Sequence, residues 1–475
     1  MNVSRRIAGN TIIQIFSKAV TAATSALVLA YLARYLGVSG YGDYTTVFAY
    51  LGIFGVLVDL GIFVTSVREI AKHPEQERSI LGNVLGLRFV VGIVVFAVAI
   101  AASLFIPYPP VVRLGILVGS VSQLFMVVNQ APVSLFQARL IMHRAAIADI
   151  AGRLILLVLV WWFIKSGLGF IPMIWAVTVS TFVTFIVSMA LAASVNPIWP
   201  RFDWAIWHRI LKLALPMGAV MILSTVYFRI DTVLLSIMKG SFDVGVYGAP
   251  YKILEVLLAV PTIFMSSVLP VMTRALDENS KEHALGIFRR SFDFMSLVSL
   301  PLVVGTMLLA TPIMVLIAGT DFAVSGPVLA IIMLKLVGSA LNSVMIYTII
   351  AAGEQRRLLL PYSIAVGFNL IANLIFIPQY SYMAAAVITV LTEIWVLIAA
   401  GYLVGKRLKL TPTFGVLLKC LVGSLLMGGA VWYLSDLNLW WRIAVGAVIY
   451  VLASLIMRAV RIQDIYELMP KLRRL

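Results

Sequence analysis

The chain has 475 residues, 62% of them hydrophobic and only 12% charged, with a formal net charge of +16. A soluble globular domain carries about 25% charged residues, so too few charges remain here to cover a water-facing surface, and lipid must be the main solvent. The basic residues lie between apolar runs rather than on a polar domain, which excludes the basic face a nucleic-acid-binding protein needs.

The apolar runs are long. Residues Ile80 to Ile106 contain one charge, Arg88, and Ile171 to Val195 contain none. Each exceeds the roughly 20 residues that cross a bilayer as a helix. Continuous runs of this kind are not the alternating segments of about 10 residues that build a barrel, and lipid admits no other spanning structure. The pattern predicts about 14 helices, near 7–36, 43–70, 80–106, 111–138, 145–165, 170–195, 207–238, 242–271, 287–318, 324–352, 358–377, 381–405, 413–434 and 439–458. The first run is too long for a signal-peptide core and lacks a clear cleavage site, so it is expected to be the first transmembrane helix. Breaks coincide with turn chemistry, as at Gly37-Val38-Ser39-Gly40 and Pro107-Tyr108-Pro109-Pro110.

The loops alternate in charge. One set, beginning with Arg5 and Arg6 and ending with Arg473 and Arg474, holds 23 basic residues; the other holds four, Arg113, Lys165, Lys239 and Arg442. The positive-inside rule then places both termini in the cytoplasm, and an even helix count agrees. The protein is expected in the plasma or inner membrane.

A linker, Asn196-Pro197-Ile198-Trp199-Pro200-Arg201, separates helices six and seven and reads as a joint between halves. An internal repeat supports that joint. Gly37-Val38-Ser39-Gly40-Tyr41-Gly42-Asp43-Tyr44 and Gly240-Ser241-Phe242-Asp243-Val244-Gly245-Val246-Tyr247 match at Gly37/Gly240, Gly42/Gly245 and Tyr44/Tyr247, offset by 203 residues. The expected plan is an N-lobe over 1–200, a C-lobe over 201–410, and a C-terminal helix pair with a cytoplasmic tail over 411–475. Parallel repeats of this kind are a transporter signature.

Ionisable residues deep in apolar helices are costly and face a bundle interior or a watery cavity. Lys18, Asp59, Lys335 and Glu393 lie nearest the midplane. Arg88, Asp149, Arg153 and Asp293 lie within about two turns of a cytoplasmic end, where snorkelling or structural pairing competes with function. Lys252 and Glu255 share a helix face and suit an intrahelical salt bridge; Arg229 and Asp231 point to different faces. A cavity with Lys18, Arg88, Arg229, Lys252 and Lys335 would bind an anion, because Arg and Lys are the natural partners of phosphate oxygens. Asp59, Asp231, Glu255 and Glu393 are then candidate coupling or gating partners. Pro216, Pro250, Pro261 and Pro270 are candidate hinges.

Catalytic signatures are missing. His73, His143, His208 and His283 show no metal-ligand spacing, there is no phosphate-binding loop, and the lone Cys420 excludes a disulfide framework. Neither a catalytic residue, a metal nor a cofactor is expected, and the chain reads as a transporter rather than an enzyme.

At Ala33-Arg34-Tyr35-Leu36-Gly37, Gly40-Tyr41-Gly42-Asp43-Tyr44, Asp59-Leu60-Gly61 and Val67-Arg68-Glu69 the sequence resembles the polysaccharide-biosynthesis flippases of the multidrug/oligosaccharidyl-lipid/polysaccharide exporter superfamily. The second half resembles them at Tyr227-Phe228-Arg229-Ile230-Asp231, Val244-Gly245-Val246-Tyr247, Tyr251-Lys252-Ile253-Leu254-Glu255 and Pro270. The resemblance implies an all-α polytopic membrane protein of the MATE-like exporter fold: two pseudo-symmetric six-helix lobes in a V, with a central cavity, plus two C-terminal helices. It implies cavity cations at Lys18, Arg88, Arg229 and Lys252. It also implies a polyprenyl- or dolichyl-(pyro)phosphate-linked oligosaccharide moved to the outer leaflet by alternating access. The partners expected are that lipid-linked glycan and membrane lipids, with a polysaccharide polymerase or glycosyltransferases also compatible. Two other readings stay open: an ion-coupled small-molecule or multidrug antiporter of the same fold, and a membrane enzyme such as a glycan polymerase.

Overall fold

The computed structural model describes residues 3–278 and 280–459, leaving out the side chains of residues 3–16, 18–19, 216–217, 219–221 and 224–226. Every regular element among the described residues is helical. Eleven of these helices are long and apolar enough to cross a membrane, and the protein is a multi-pass all-α membrane protein. Two expected breaks, near Gly37 and Ser381, bend the chain without ending its helical run.

The chain divides into two compact units, Met1–Gly248 and Ala249–Leu475. In the first, α1 runs from Val3 to Asp59. A straight helix of 57 residues would measure about 85 Å at 1.5 Å per residue, far more than the hydrocarbon layer needs. It bends at Gly37, where φ is 65° and ψ −176°. Nothing lies near the position of an added Cβ there, so the glycine is required by its left-handed φ rather than by crowding. A pair of positive-φ residues, Leu60 and Gly61, ends the helix, and α2 (Ile62–Lys72) follows.

Helices α3 (Glu77–Leu104), α4 (Pro110–Val128), α5 (Gln130–Ala138), α6 (His143–Lys165), α7 (Phe170–Ala193) and α8 (Trp204–Met238) follow. Helix α1 packs against α3, α4, α6 and α8, and α7 packs against α4 and α6. The core between them includes Val47, Leu51, Leu85, Ile116 and Phe136. The linker between α7 and α8 lies bound along α3. Arg201 donates its backbone N–H to Gly82 O at 2.9 Å, Asp203 donates its own to Asn83 Oδ1 at 2.9 Å, and Asn196 Nδ2 donates to Glu77 Oε1 at 3.0 Å. A Cβ on Gly82 or Gly86 would strike the linker backbone, at 2.6 Å from Trp199 O and 2.3 Å from Arg201 O. Asp203 then caps α8 by accepting from Ala205 and Ile206 N–H.

Helix α9 (Ser241–Asp277) begins in the first unit and runs unbroken through Pro250, Pro261 and Pro270. The second unit continues with α10 (Lys281–Leu308), α11 (Ala310–Ala318), α12 (Gly326–Ile332), α13 (Leu334–Ala351) and α14 (Leu359–Leu403). Helix α14 bends at Ser381, three residues after Pro378, where φ is 49°. Its core includes Met265, Phe288, Phe292, Val344 and Ala400. Helices α15 (Phe414–Tyr433) and α16 (Leu439–Ile456) pair with each other and dock on α10, where Tyr450 Oη donates to Leu297 O at 2.7 Å. Cys420 is buried in α15 as a small apolar filler.

Candidate functional site

The membrane-embedded charges fall into sealed and open groups. Asp59 ends α1 just before the break at Leu60, and its Oδ1 accepts from Phe63 N–H at 3.3 Å. Arg88 of α3 reaches it as a hydrogen-bonded ion pair and donates from Nη1 to Val127 O at 2.9 Å. Arg88 is 0% exposed, and its Nε has no partner. A charge this deep is tolerable only when paired, so in this conformation Arg88 serves Asp59 rather than an open space.

Arg229 of α8 crosses α1 at Gly52. A Cβ at Gly52 would sit 3.1 Å from both Cδ and Nε of Arg229, so the missing side chain is what lets the guanidinium lie flat on the helix. Asp231, two residues on, is buried and accepts from Tyr247 Oη at 3.3 Å. Lys252 and Glu255 form the i,i+3 pair expected of them, at 2.7 Å, with side chains 43% and 31% exposed.

In the second unit, Lys335 and Glu393 are both buried. Lys335 Nζ lies 5.9 Å from the ring centre of Tyr251, within cation–π range. Glu393 Oε1 accepts from Asn342 Nδ2 at 3.1 Å, while Asn342 Oδ1 has no partner. Gly338 makes room for Glu393, whose Cγ would be 2.7 Å from an added Cβ. Asn369 donates to Thr392 Oγ1 at 3.4 Å, across the bend of α14, and Asn373 donates to Asn369 O one turn back, so both amides bond within α14. Lys18 and Pro216 lie outside the described side chains. Among the described residues, no group of three or more His, Cys, Asp or Glu is placed to hold a metal ion.

The sequence repeat has a physical meaning that its spacing alone does not give, because its two copies touch. A Cβ on Gly42 would lie 1.7 Å from Ser241 O and 2.9 Å from Gly245 N; one on Gly245 would lie 2.0 Å from Val38 O. Gly248 meets Thr45 the same way, at 2.8 Å. Ser241 Oγ donates to Asp43 Oδ1. The matched pair Gly42 and Gly245 is therefore the contact point of two helical turns docked backbone to backbone, while a Cβ on Gly37 or Gly240 would meet nothing within 4 Å. Gly52 and Gly42 are the residues that sequence reasoning missed as site elements; glycine on a helix face beside an intramembrane cation or inside a repeat was the available signal.

Comparisons with known proteins agree with this architecture. Residues 7–276 match the family described as polysaccharide biosynthesis protein, and residues 216–375 match the MatE family. A curated relative, the probable low-salt glycan biosynthesis flippase Agl15 of Haloferax volcanii, is 20% identical over 242 residues, half of this chain. The alignment spans about half of that relative's length. The lipid II flippase MurJ in an inward closed conformation superposes with a TM-score of 0.77 at 17% identity, covering 94% of this chain and 98% of MurJ. An inward-facing multidrug resistance MATE family transporter of the MOP superfamily superposes with a TM-score of 0.65 at 17% identity, covering 84% and 98%. At such identities these two show a shared fold. The first family match spans more than half of the chain, and the chain belongs to the polysaccharide biosynthesis protein family, among the membrane transporters of the multidrug/oligosaccharidyl-lipid/polysaccharide exporter superfamily.

Proposed function

We propose that the protein flips a polyprenyl- or dolichyl-(pyro)phosphate-linked oligosaccharide from the cytoplasmic to the outer leaflet of the cell membrane by alternating access. Both termini are placed in the cytoplasm and the lobes at 1–200 and 201–410, with 411–475 as an appended pair. Lys18, Arg229 and Lys252 are assigned to the (pyro)phosphate. Arg88 and Lys335 are assigned to the same cationic set as inner members, held by Asp59 and beside Tyr251 in this conformation. Asp231, Glu255 and Glu393 hold or release the cations as the conformation changes. The docked turns at Gly42 and Gly245 act as the closure on the outer side.

One observation carries the choice of an anionic substrate. The Lys252 side chain is 43% exposed within an apolar helix, while Asp231 and Glu393 are 2% and 3% exposed. A transporter of organic cations needs carboxylates that no cation neutralises; here the reachable carboxylates Glu255 and Asp149 each stand beside a cation, Lys252 and Arg153. The Agl15 relative and MurJ, both flippases by name, support the reading.

Reconstitution tests it. Liposomes carry a fluorescent polyprenyl-pyrophosphate oligosaccharide in one leaflet, and its transbilayer movement is compared for wild type, Lys252→Ala and Arg229→Ala. Movement that collapses in folded variants is the expected result. No movement of such lipids, with ion-driven export of a cationic dye instead, would replace the flippase with the antiporter.

A further inference from the structure

A second polar site lies in the first unit, where α6 faces α1. Arg153 is the eleventh of the 23 residues of α6, about 15 Å along the helix axis from its start and about 18 Å from its end. A side chain that only snorkels makes no partners on its way to the interface. Arg153 Nε instead lies 3.7 Å from Asp149 Oδ1, and its Nη1 donates to Ser25 Oγ at 3.3 Å. Thr21 Oγ1 donates to Asp149 Oδ2 at 2.6 Å.

The pair is nevertheless open, with side chains 33% exposed for Arg153 and 41% for Asp149. Helix α6 shows lipid its Ile147, Leu154, Val158 and Trp161 side chains, all exposed. Asp149 and Arg153 lie roughly 130° round the helix from that stripe, at 3.6 residues per turn. The rotation is fixed by Gly152, which presses against α7: an added Cβ would meet Thr184 Oγ1 at 1.9 Å, and Ser180 Oγ donates to Gly152 O at 2.9 Å. Exposed charges at mid-helix, turned from lipid, line water.

The chemistry of this site differs from that of Lys252 and Arg229. Its two charges cancel, as those of Lys252 and Glu255 do, but here the hydroxyls of Thr21 and Ser25 also bond to the pair. It offers carboxylate oxygens as acceptors, a guanidinium as donor, and two hydroxyls that do either. A neutral polyol needs this mixture, since each of its hydroxyls both donates and accepts. We propose that Thr21, Ser25, Asp149 and Arg153 form a subsite for the sugar hydroxyls of the transported lipid, separate from the cations that take its (pyro)phosphate. The assignment rests on the flippase reading above and deepens it.

The test measures equilibrium binding to purified protein in nanodiscs for three probes: a bare polyprenyl pyrophosphate, one bearing a single N-acetylhexosamine, and one bearing an oligosaccharide. Wild type should bind the glycan-bearing probes more tightly than the bare one. Asp149→Asn should cut that preference about tenfold while leaving affinity for the bare lipid within about twofold, as expected when a site built to hydrogen-bond hydroxyls loses an acceptor. Thr21→Val, which keeps shape and removes one hydroxyl, should cut it roughly threefold with unchanged melting. Equal weakening of all three probes, or a preference untouched by either substitution, would overturn the sugar subsite and leave the flippase standing. Wild type that binds none of the three would overturn both.

Discussion

Two ion pairs in this protein use the same chemistry and do opposite things. Asp59–Arg88 is closed: the guanidinium is fully buried and also held by a main-chain carbonyl. Lys252–Glu255 is open, with both side chains about a third or more exposed on one face of α9. A sealed pair has already lost its water and depends wholly on its partner. An open pair keeps its water, contributes little to stability, and can exchange its partner for an incoming anion. Charge in a membrane helix is thus no sign of a binding residue until its burial is known.

The largest effect expected from this contrast is on the closed side. Arg88→Met leaves Asp59 without its cation and should cost about 3 kcal/mol, read as a lowered melting temperature in detergent. Adding Asp59→Asn to that variant should restore part of the loss, because the stranded charge is gone; a double variant as unstable as the single one would mean that packing, not charge, dominates. The docked turns come next. Gly42→Ala drives a methyl into Ser241 O and should cost about 2 kcal/mol. It should also leave cysteines placed at positions 38 and 245 more reactive to a water-soluble thiol reagent. A smaller effect belongs to Gly52→Ala, which pushes Arg229 by a few tenths of an ångström; transport should fall a fewfold, about 1 kcal/mol in barrier terms, with melting nearly unchanged. Smallest in stability is Lys252→Ala, within about 0.5 kcal/mol of wild type, although transport should fall at least tenfold. If Lys252→Ala destabilises as much as Arg88→Met, the distinction between open and closed pairs fails.

The difference between these regions also marks what the sequence makes legible. Long apolar runs announce the membrane class, and intramembrane charges stand out at once, because both are properties of single segments. The Lys252–Glu255 pair was foreseeable for the same reason: three residues on one helix set its geometry. Which charges are sealed was not, because Asp59, Arg88 and Val127 come from three separate stretches of chain. The partners of Asp149 and Arg153 are equally hidden, because Thr21 and Ser25 lie on another helix more than a hundred residues away. The bends at Gly37 and Ser381 read as ends of helices, since turn chemistry signals a change of direction and not whether helical hydrogen bonding resumes immediately. The repeat marks Gly42 and Gly245 but not their contact, and nothing local to Gly52 names Arg229, because the purpose of each lies in a partner segment.

The bound linker from Asn196 to Asp203 bears on mechanics. A loose tether transmits no force until taut, but this one is riveted to α3 at Glu77, Gly82 and Asn83 and ends in the cap of α8. It works as a splint: a tilt of α3 is passed directly to the first turn of α8 and onward along the helix that carries Arg229. Slack introduced there, as by a few inserted glycines after Pro200, would leave every side chain of the cationic set in place and still uncouple the stroke.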